Sequence, residues 1–282
     1  MARDKRLIQF YLTTNCNSRC KTCSIWRCKG EYMSLNPNVV AGICAQNLDA
    51  DFVLGGGEFT LYPYRHALLD MLDDLGVNYT ILSNAVNIRL LEGVLDRHNI
   101  KNLTISCDGI YHDTIRGIKG NLLHIGYILD KYRKKIPNIK LSYTYSKFNE
   151  DNFVNDMNFI KYALGFDKVY FCIAQDMDLL KTNGDVKPND LKNILAKSDM
   201  LYDKDRIFIE NLLEGKKKKC DSVGSVFTVY TNGDVVSCQS FMSKLVIGNI
   251  YEKPFNEIVK NVTPFDCPFD GRCNLLCQRR YD

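Results

Sequence analysis

The chain has 282 residues, of which 45% are hydrophobic, and a formal net charge of +4 from 37 basic and 33 acidic side chains. This length allows a sizeable core in one large domain, alone or with a small appendage. The small charge excludes any need for a nucleic-acid or membrane partner. No run approaches the roughly 20 apolar residues of a membrane span, and the N-terminus lacks a signal-peptide pattern. We therefore expect a cytoplasmic protein, where clustered cysteines indicate metal or redox chemistry.

Short apolar, β-branched runs alternate with longer amphipathic segments through the first 180 residues. The runs predict six strands, at Leu7–Thr14, Asp51–Leu54, Val77–Leu82, Asn102–Ile105, Ile139–Tyr145 and Lys168–Ala174. The segments between them have the period and length of helices, at Asn38–Leu48, His66–Leu75, Ile88–His98, Leu122–Lys134 and Asn152–Leu164. Repeated strand–helix units predict an α/β protein with a parallel sheet, either doubly wound or curled into a barrel.

Three cysteines follow the first predicted strand with the spacing CxxxCxxC, namely Cys16, Cys20 and Cys23. Thiolates are the usual protein ligands of iron–sulfur clusters, and three of them leave one iron of a cubane cluster without a protein ligand. That iron can bind a substrate or a cofactor. A structural zinc site is the alternative, because Cys28 could complete a closed set of four ligands. The spacing favours the cluster.

A small or polar group follows each predicted strand. In chain order these groups are Cys16, Gly55-Gly56-Gly57-Glu58, Ser83-Asn84, Ser106 with Asp108, Ser146 and Gln175. The carboxyl ends of parallel strands form the active face of α/β folds. Any strand must meet solvent somewhere, which accounts for one or two such groups, but six in succession favour a site.

The pattern changes after about residue 180, where the strand–helix alternation is expected to stop and a second unit to begin. We therefore predict domains at residues 1–180 and 181–282. In the second unit, Val226–Tyr230 and Val235–Cys238 flank Asn232-Gly233, a strong hairpin signal. Five cysteines accompany the hairpin and the tail, at Cys220, Cys238, Cys267, Cys273 and Cys277. A structural zinc site fits this tail better than it fits the first three cysteines.

Together these residues resemble the radical S-adenosylmethionine (SAM) enzymes that carry a C-terminal SPASM or twitch extension. The CxxxCxxC triad is similar to that family's cluster motif, and Gly56-Gly57-Glu58 is similar to its GGE motif. Ser106-Cys107-Asp108-Gly109, with His112-Asp113 and Arg116-Gly117, resembles its SxDG…HDxIRG stretch. The resemblance covers nearly the whole chain. It implies a partial TIM-type (β/α)6 barrel and a small C-terminal α+β auxiliary-cluster domain that contains a β-hairpin.

The resemblance also implies a set of cofactor contacts around a 4Fe–4S cluster on the first three cysteines. The SAM contacts would be Gly56, Gly57, Glu58, Ser83, Asn84, Ser106, Asp108 and Arg116. Glu58 would meet the amino group of SAM, in keeping with the acceptor character of a carboxylate and the close approach that glycines allow. Arg116 would meet the carboxylate or the ribose. Alternatively, Asp113 merely caps a helix and Arg116 merely pairs with it.

The C-terminal cysteines resemble a SPASM extension but depart from its full pattern. Pro264 stands where a full SPASM domain has a cysteine, and no cysteine follows Cys277. We therefore expect one auxiliary 4Fe–4S cluster rather than two. Its ligands would be Cys220, Cys238 and Cys277, with Cys267 or Cys273 as the fourth.

The implied reaction is reductive cleavage of SAM to a 5′-deoxyadenosyl radical, which abstracts a substrate hydrogen. An auxiliary cluster suits a net oxidation, of oxidoreductase type, on a small molecule or a peptide. The electron would come from a donor such as flavodoxin or ferredoxin. Substrate contacts are expected near Tyr62, Tyr145, Gln175 and Asp176, although a core or surface role fits each equally well. No catalytic base is assigned.

Two alternatives differ in substrate or in class. Modification of a nucleotide or nucleic-acid base is supported only by the basic run Lys216–Lys219. A non-enzymatic iron–sulfur or zinc protein would need neither the Gly56-Gly57-Glu58 motif nor Arg116.

Overall fold

The structure is a computed structural model that describes residues 5–27, 34–174, 186–216, 224–237, 246–260 and 262. Its strands are β1 (Leu7–Thr13), β2 (Asp51–Gly56), β3 (Tyr79–Ser83), β4 (Asn102–Ser106), β5 (Asn138–Tyr145), β6 (Tyr170–Ile173), β7 (Val226–Val229), β8 (Asp234–Val236) and β9 (Val246–Asn249). Its α-helices are α1 (Pro37–Ala45), α2 (Arg65–Leu75), α3 (Ile88–Arg97), α4 (His112–Arg116), α5 (Asn121–Tyr132), α6 (Phe153–Tyr162), α7 (Asp203–Leu213) and α8 (Phe255–Lys260). Short 3-10 helices lie at Ile25–Arg27, Phe59–Leu61, Glu150–Asn152 and Lys192–Met200.

Local sequence signals account for several helix ends. Asn36 accepts a hydrogen bond from the backbone N–H of Asn38 and caps α1, which begins at Pro37. Asn87 caps α3 in the same way, through the N–H of Leu90. No helix in the described ranges is long and apolar enough to cross a membrane.

One sheet contains the nine strands, in the order β6-β5-β4-β3-β2-β1-β7-β8-β9. All pairs from β6 to β7 are parallel, and β8 and β9 add an antiparallel hairpin. The predicted parallel sheet of six strands and the C-terminal hairpin are therefore confirmed. The predicted domain boundary near residue 180 lies outside the described residues and stays a prediction.

The sequence pattern predicts that the strand–helix alternation stops after β6, but in the structure it continues. Helix α7 follows β6, and β7 then pairs in parallel with β1, so that Leu7 lies opposite Val226. The core-facing residues of this helix, Phe208, Ile209, Leu212 and Leu213, have the spacing of one helical face, whereas Ile207 departs from that face and is half exposed.

The two faces of the parallel sheet differ in chemistry because side chains alternate along each strand. One face carries fully buried apolar residues such as Phe10, Ile81 and Leu141, which belong to the main core. The opposite face contributes polar side chains to a cavity of about 220 Å³. We call this cavity the lumen. Its lining includes Gln9, Val53, Thr80, Leu82, Asn102, Thr104, Lys140, Ser142 and Tyr170.

Candidate functional site

The segment of residues 14–24 that follows β1, here called the cysteine loop, is fastened on one side by the Gly56-Gly57-Glu58 turn. The N–H of Gly57 donates to the carbonyl of Thr13 at 2.7 Å, and the N–H of Glu58 donates to the carbonyl of Asn15 at 2.8 Å. A Cβ on Gly57 would lie 2.2 Å from the Asn15 carbonyl oxygen. Gly56 has φ +119°, and its Cβ would lie 2.6 Å from the Thr13 oxygen. The close approach that these glycines allow is thus made by the protein's own backbone.

The end of α4 fastens the cysteine loop on its other side. The N–H of Arg19 donates to the carbonyl of Arg116 at 2.9 Å, and the N–H of Lys21 donates to that of Ile115 at 2.8 Å. Gly117 ends the helix with φ +65°, and a Cβ there would lie 2.8 Å from the Arg19 oxygen. Two segments distant in sequence therefore fix the backbone that carries Cys16, Cys20 and Cys23.

Trp26, the one tryptophan of the chain, also holds this loop. Its indole N–H donates to the carbonyl of Cys23 at 2.7 Å and to that of Cys20 at 3.2 Å. The guanidinium groups of Arg19 and Arg27 lie 5.3 and 4.5 Å from the centre of its ring. Sequence reasoning missed this residue, although a lone tryptophan three residues after Cys23 was a visible signal.

The three thiols of the loop are shielded and close enough to influence one another. Cys20 is buried, and Cys16 and Cys23 are partly exposed. Burial raises the pKa of Cys16 to about 12; a hydrogen bond from the Ser18 backbone opposes the shift, and Cys20, Glu58 and Cys23 add to it. Such thiols become good ligands only when a metal replaces the proton.

The donor set fits a cubane cluster, which takes one thiolate at each of three irons and thereby spreads its ligands. Cys28, the fourth ligand of the zinc alternative, lies outside the described residues.

Glu58 is buried and receives four hydrogen bonds from its surroundings. Its Oε1 accepts from the N–H of Thr60 at 3.1 Å, from the Thr60 hydroxyl at 2.9 Å and from the Ser83 hydroxyl at 2.8 Å. Its Oε2 accepts from the N–H of Asn84 at 2.8 Å. Burial raises the pKa of Glu58, and these hydrogen bonds lower it in part. Because a carboxylate has about four acceptor positions, two on each oxygen, only Oε2 retains one for a ligand.

Asn84 joins this carboxylate to the cysteine loop. Its side-chain amide donates to Asn17 Oδ1 at 2.8 Å and to the Ser18 hydroxyl at 2.9 Å. Its carbonyl accepts from the side chain of Asn121, at the start of α5, at 2.9 Å. The end of β3 is thereby tied to two other segments of the site.

Asp108 and Arg116 form a buried ion pair beside Cys20. Arg116 Nε donates to Asp108 Oδ2 at 2.5 Å and Nη2 donates to Oδ1 at 3.1 Å. The N–H of Thr144 donates to Oδ1 at 3.0 Å. Burial acts to raise the pKa of Asp108, but Arg116 prevails and lowers it. Arg116 Nη1 lies 4.0 Å from Cys20 Sγ.

The alternative interpretation of Asp113 and Arg116 is half right. Asp113 caps α5, because it accepts from the N–H of Gly120 at 2.5 Å and from that of Leu122 at 3.0 Å. Arg116, however, pairs with Asp108 rather than with Asp113.

The remaining predicted residues divide into three groups. Ser106 is half-buried at the end of β4. Tyr62 and Tyr145 belong to the core, because both are fully buried and their hydroxyls donate to the carbonyls of Leu35 and Asp190 at 2.6 Å. The others lie outside the described residues: Cys28, Gln175, Asp176, Cys220, Cys238, Cys267, Cys273 and Cys277.

Comparison with known proteins adds two findings. Residues 220–278 match the SPASM family model, an iron–sulfur cluster-binding domain. The structure is similar to Streptococcus suis SuiB bound to S-adenosylmethionine, with a TM-score of 0.69, 15% sequence identity and coverage of 90% of this chain and 65% of that one. SuiB bound to the precursor peptide SuiA has a TM-score of 0.68 and 13% sequence identity, with coverage of 95% of this chain and 66% of that one. The anSMEcpe structure with AdoMet and the Cp18Cys peptide has a TM-score of 0.65 and 16% sequence identity, with coverage of 95% of this chain and 88% of that one.

This chain thus spans just under two thirds of the SuiB chains. A search of curated proteins finds no match. The predicted fold is confirmed by the similarity to these structures, and the predicted resemblance of the C-terminal cysteines to a SPASM extension is confirmed by the family-model match. All five C-terminal cysteines fall within the matched residues. The family-model match supports an iron–sulfur cluster in residues 220–278.

Proposed function

We propose that this chain is a radical SAM enzyme that oxidises a peptide or a small molecule, with its SAM-binding cluster on Cys16, Cys20 and Cys23. The observation that carries the proposal is the fastening of the cysteine loop. The loop is held by the Gly57–Glu58 turn on one side and by Arg116 on the other, and both segments are predicted SAM contacts. When bound, the cluster supplies the electron that cleaves the sulfonium of SAM and starts hydrogen abstraction from a substrate C–H bond.

Contacts within the protein orient the side chains of the site. Glu58 keeps one acceptor position on Oε2 for the amino group of SAM. Asp108 engages Nε and Nη2 of Arg116, and Nη1 points towards Cys20. Of the five N–H groups of a guanidinium, two then remain for the carboxylate of SAM. A cation beside Cys20 also stabilises the additional negative charge of a reduced cluster.

The substrate and the second cluster form the finer part of the proposal. SuiB and anSMEcpe have been crystallised with peptides, which favours a peptide over a small molecule. One auxiliary cluster in residues 220–278 would accept an electron from the substrate, and a flavodoxin or ferredoxin in the cytoplasm would supply the first one. A nucleic-acid substrate loses part of its only support, because Lys216 pairs with Glu214 at 2.5 Å.

The test begins with anaerobic reconstitution with iron and sulfide, followed by addition of SAM and a strong reductant. The measured quantities are bound iron and 5′-deoxyadenosine. We expect Cys16→Ala to lose one cluster's complement of iron and all product. The matched control is Cys172→Ala, since Cys172 is a half-buried cysteine outside the predicted ligand set, and it should behave as the wild type. Equal product from both variants would contradict the proposal, and zinc in place of iron would favour a structural metalloprotein.

A further inference from the structure

The lumen combines a polar wall and an apolar wall. Strands β3 to β6 contribute hydroxyl groups and one cation to its lining, from Thr80, Thr104, Ser142, Tyr170 and Lys140. Val53 of β2 and Leu82 of β3 supply the apolar wall, and both pack with the buried Leu7 and Val226 behind them. A ligand that satisfies both walls has a polar group at one end and an apolar body.

Lys140 is the cation of the polar wall. Its Nζ donates to the Tyr170 hydroxyl at 2.7 Å and lies 4.7 Å from the centre of that ring. Within the described ranges, no carboxylate lies at ion-pair distance from Lys140, and the one carboxylate that lines the lumen, Asp51, accepts a hydrogen bond from Asn78 at 3.2 Å. Lys140 Nζ also lies 6.0 Å from the centre of the Tyr202 ring. An ammonium has three N–H donors, so Lys140 can donate to a ligand as well as to Tyr170.

Thr104 supplies a second unsatisfied group. The residue is 3% exposed, and its hydroxyl is buried without a hydrogen-bond partner. A buried hydroxyl without a partner is costly in a folded protein, so such a group is typical of a position that a ligand completes. Thr104 and Lys140 both line the lumen, on the neighbouring strands β4 and β5.

From these observations we propose that the lumen binds the carboxylate of an amphipathic substrate, with Lys140 and Thr104 as donors and with Val53 and Leu82 in contact with its apolar body. A single negative charge matches Lys140, because Asp51, the other charged group of the lining, is not at ion-pair distance from it. A phosphate dianion would keep an uncompensated charge in a partly buried site, which is strongly unfavourable.

The position of the lumen relates this ligand to the reaction. Thr104 and Ser106 lie on the same face of β4 and are separated by about 7 Å along the strand. Thr104 and its strand neighbour Lys140 lie two residues before Ser106 and Ser142 in the same register, so a carboxylate bound to them sits just below the carboxyl edge that carries the cysteine loop. The inference relies on the proposed function only in treating the bound carboxylate as a substrate; the binding itself is independent of it.

The test measures binding of hexanoate, hexyl phosphate and hexanamide to the reconstituted protein by calorimetry. We expect hexanoate to bind most tightly, and Lys140→Met to weaken it by about tenfold or more, because the carboxylate loses its charge partner. Thr104→Val should weaken it about threefold. The control is Lys161→Met, an exposed lysine on α6 that pairs with Asp199, and it should leave binding unchanged. Equal hexanoate binding by wild type and Lys140→Met, or preference for the amide or the phosphate, would overturn the inference.

The same preparations separate this inference from the proposed function. Lys140 does not contact the cysteine loop in the described chain, so Lys140→Met should still cleave SAM in the absence of substrate at the wild-type rate. Lysine-dependent hexanoate binding without 5′-deoxyadenosine would refute the enzyme but keep the ligand site. Cleavage of SAM without lysine-dependent binding would refute the ligand site alone.

Discussion

The carboxyl edge of the parallel sheet and the lumen satisfy their polar groups in different ways. At the carboxyl edge, Glu58 has four protein donors and Asp108 has three. In the lumen, the hydroxyl of Thr104 has none, and Lys140 contacts a phenol rather than a carboxylate. In the first arrangement the protein supplies the partners, which suits it to holding a cofactor in one geometry. In the second, the Thr104 hydroxyl has no protein partner among the described residues, which suits the lumen to the ligand that we propose for it.

The largest effect should come from removing the charge of Asp108. Asp108→Asn leaves the buried Arg116 cation without its counter-charge, and we expect the free energy of unfolding to fall by about 4 kcal/mol. Because the pKa of Asp108 is lowered in the folded state, this stabilisation is present above the ordinary carboxyl pKa and is lost as the pH falls through the folded value. Urea denaturation at pH 7 measures the change.

The matched control for Asp108 is an exposed ion pair. Asp70 binds Arg97 at 2.7 Å with both side chains about half exposed, so Asp70→Asn should change stability little because solvent screens the pair. Equal losses in the free energy of unfolding from the two variants would show that the buried ion pair at the carboxyl edge contributes no more than an exposed pair.

The glycine turn offers the next test. In Gly57→Ala, the new Cβ meets the Asn15 carbonyl oxygen, which belongs to the backbone and cannot rotate away. We expect a loss of about 3 kcal/mol in the free energy of unfolding, together with loss of the iron bound by the cysteine loop. Gly93→Ala is the control, because that glycine lies exposed within α3 with open space around it, and alanine there should stabilise the protein by about 1 kcal/mol. A Gly57→Ala protein with full iron content would contradict the proposed fastening.

A buried carboxyl beneath the edge should give a pH-dependent effect. Asp156 accepts from the N–H of Ile110 at 2.8 Å and from the Tyr143 hydroxyl at 2.7 Å. Burial raises its pKa to about 6; these two hydrogen bonds oppose the shift and Asp108 adds to it. A carboxyl with a raised folded pKa gives stability that is present below the ordinary value and is lost as the pH rises through 6.

We therefore expect Asp156→Asn to gain stability relative to the wild type between pH 4 and pH 7. A shift of about two units corresponds to about 3 kcal/mol. Denaturant titrations of both proteins at several pH values measure the difference. A difference that does not vary with pH would show that Asp156 titrates normally.

The smallest effects make the most direct comparison, because two buried threonines should respond with opposite signs. The hydroxyl of Thr60 donates to Glu58 at 2.9 Å, and Thr60→Val should cost about 2 kcal/mol because the hydrogen bond is to a charged group. Thr104→Val removes an unsatisfied hydroxyl and should stabilise the ligand-free protein by about 1 kcal/mol. Thermal unfolding of both variants measures the two changes. Equal losses of stability would mean that the Thr104 hydroxyl has a hydrogen-bond partner in the lumen, as the Thr60 hydroxyl has at the carboxyl edge.

Much of the edge was predictable because its signals are local. Apolar runs of strand length located β1 to β6 to within a few residues, and parallel strands place their carboxyl ends together. The groups after those strands, such as Glu58, Ser83 and Asp108, could therefore be grouped before their distances were known. Thr60 and Trp26 were missed, because a hydrogen bond to a neighbouring residue leaves no periodic pattern.

The sequence by itself determined the parallel sheet, the cysteine loop and the candidate residues at the strand ends, since periodicity and spacing are properties of the chain. Only the tertiary structure decided that β7 pairs with β1 and that Arg116 pairs with Asp108 rather than with Asp113. It further decided that Gly56 and Gly57 pack closely against the backbone of Thr13 and Asn15, where the cysteine loop begins. It also decided which polar groups are satisfied, as the contrast between Thr60 and Thr104 illustrates. The physical reason is that partners and close approaches depend on the packing of segments far apart in sequence, which no local pattern encodes.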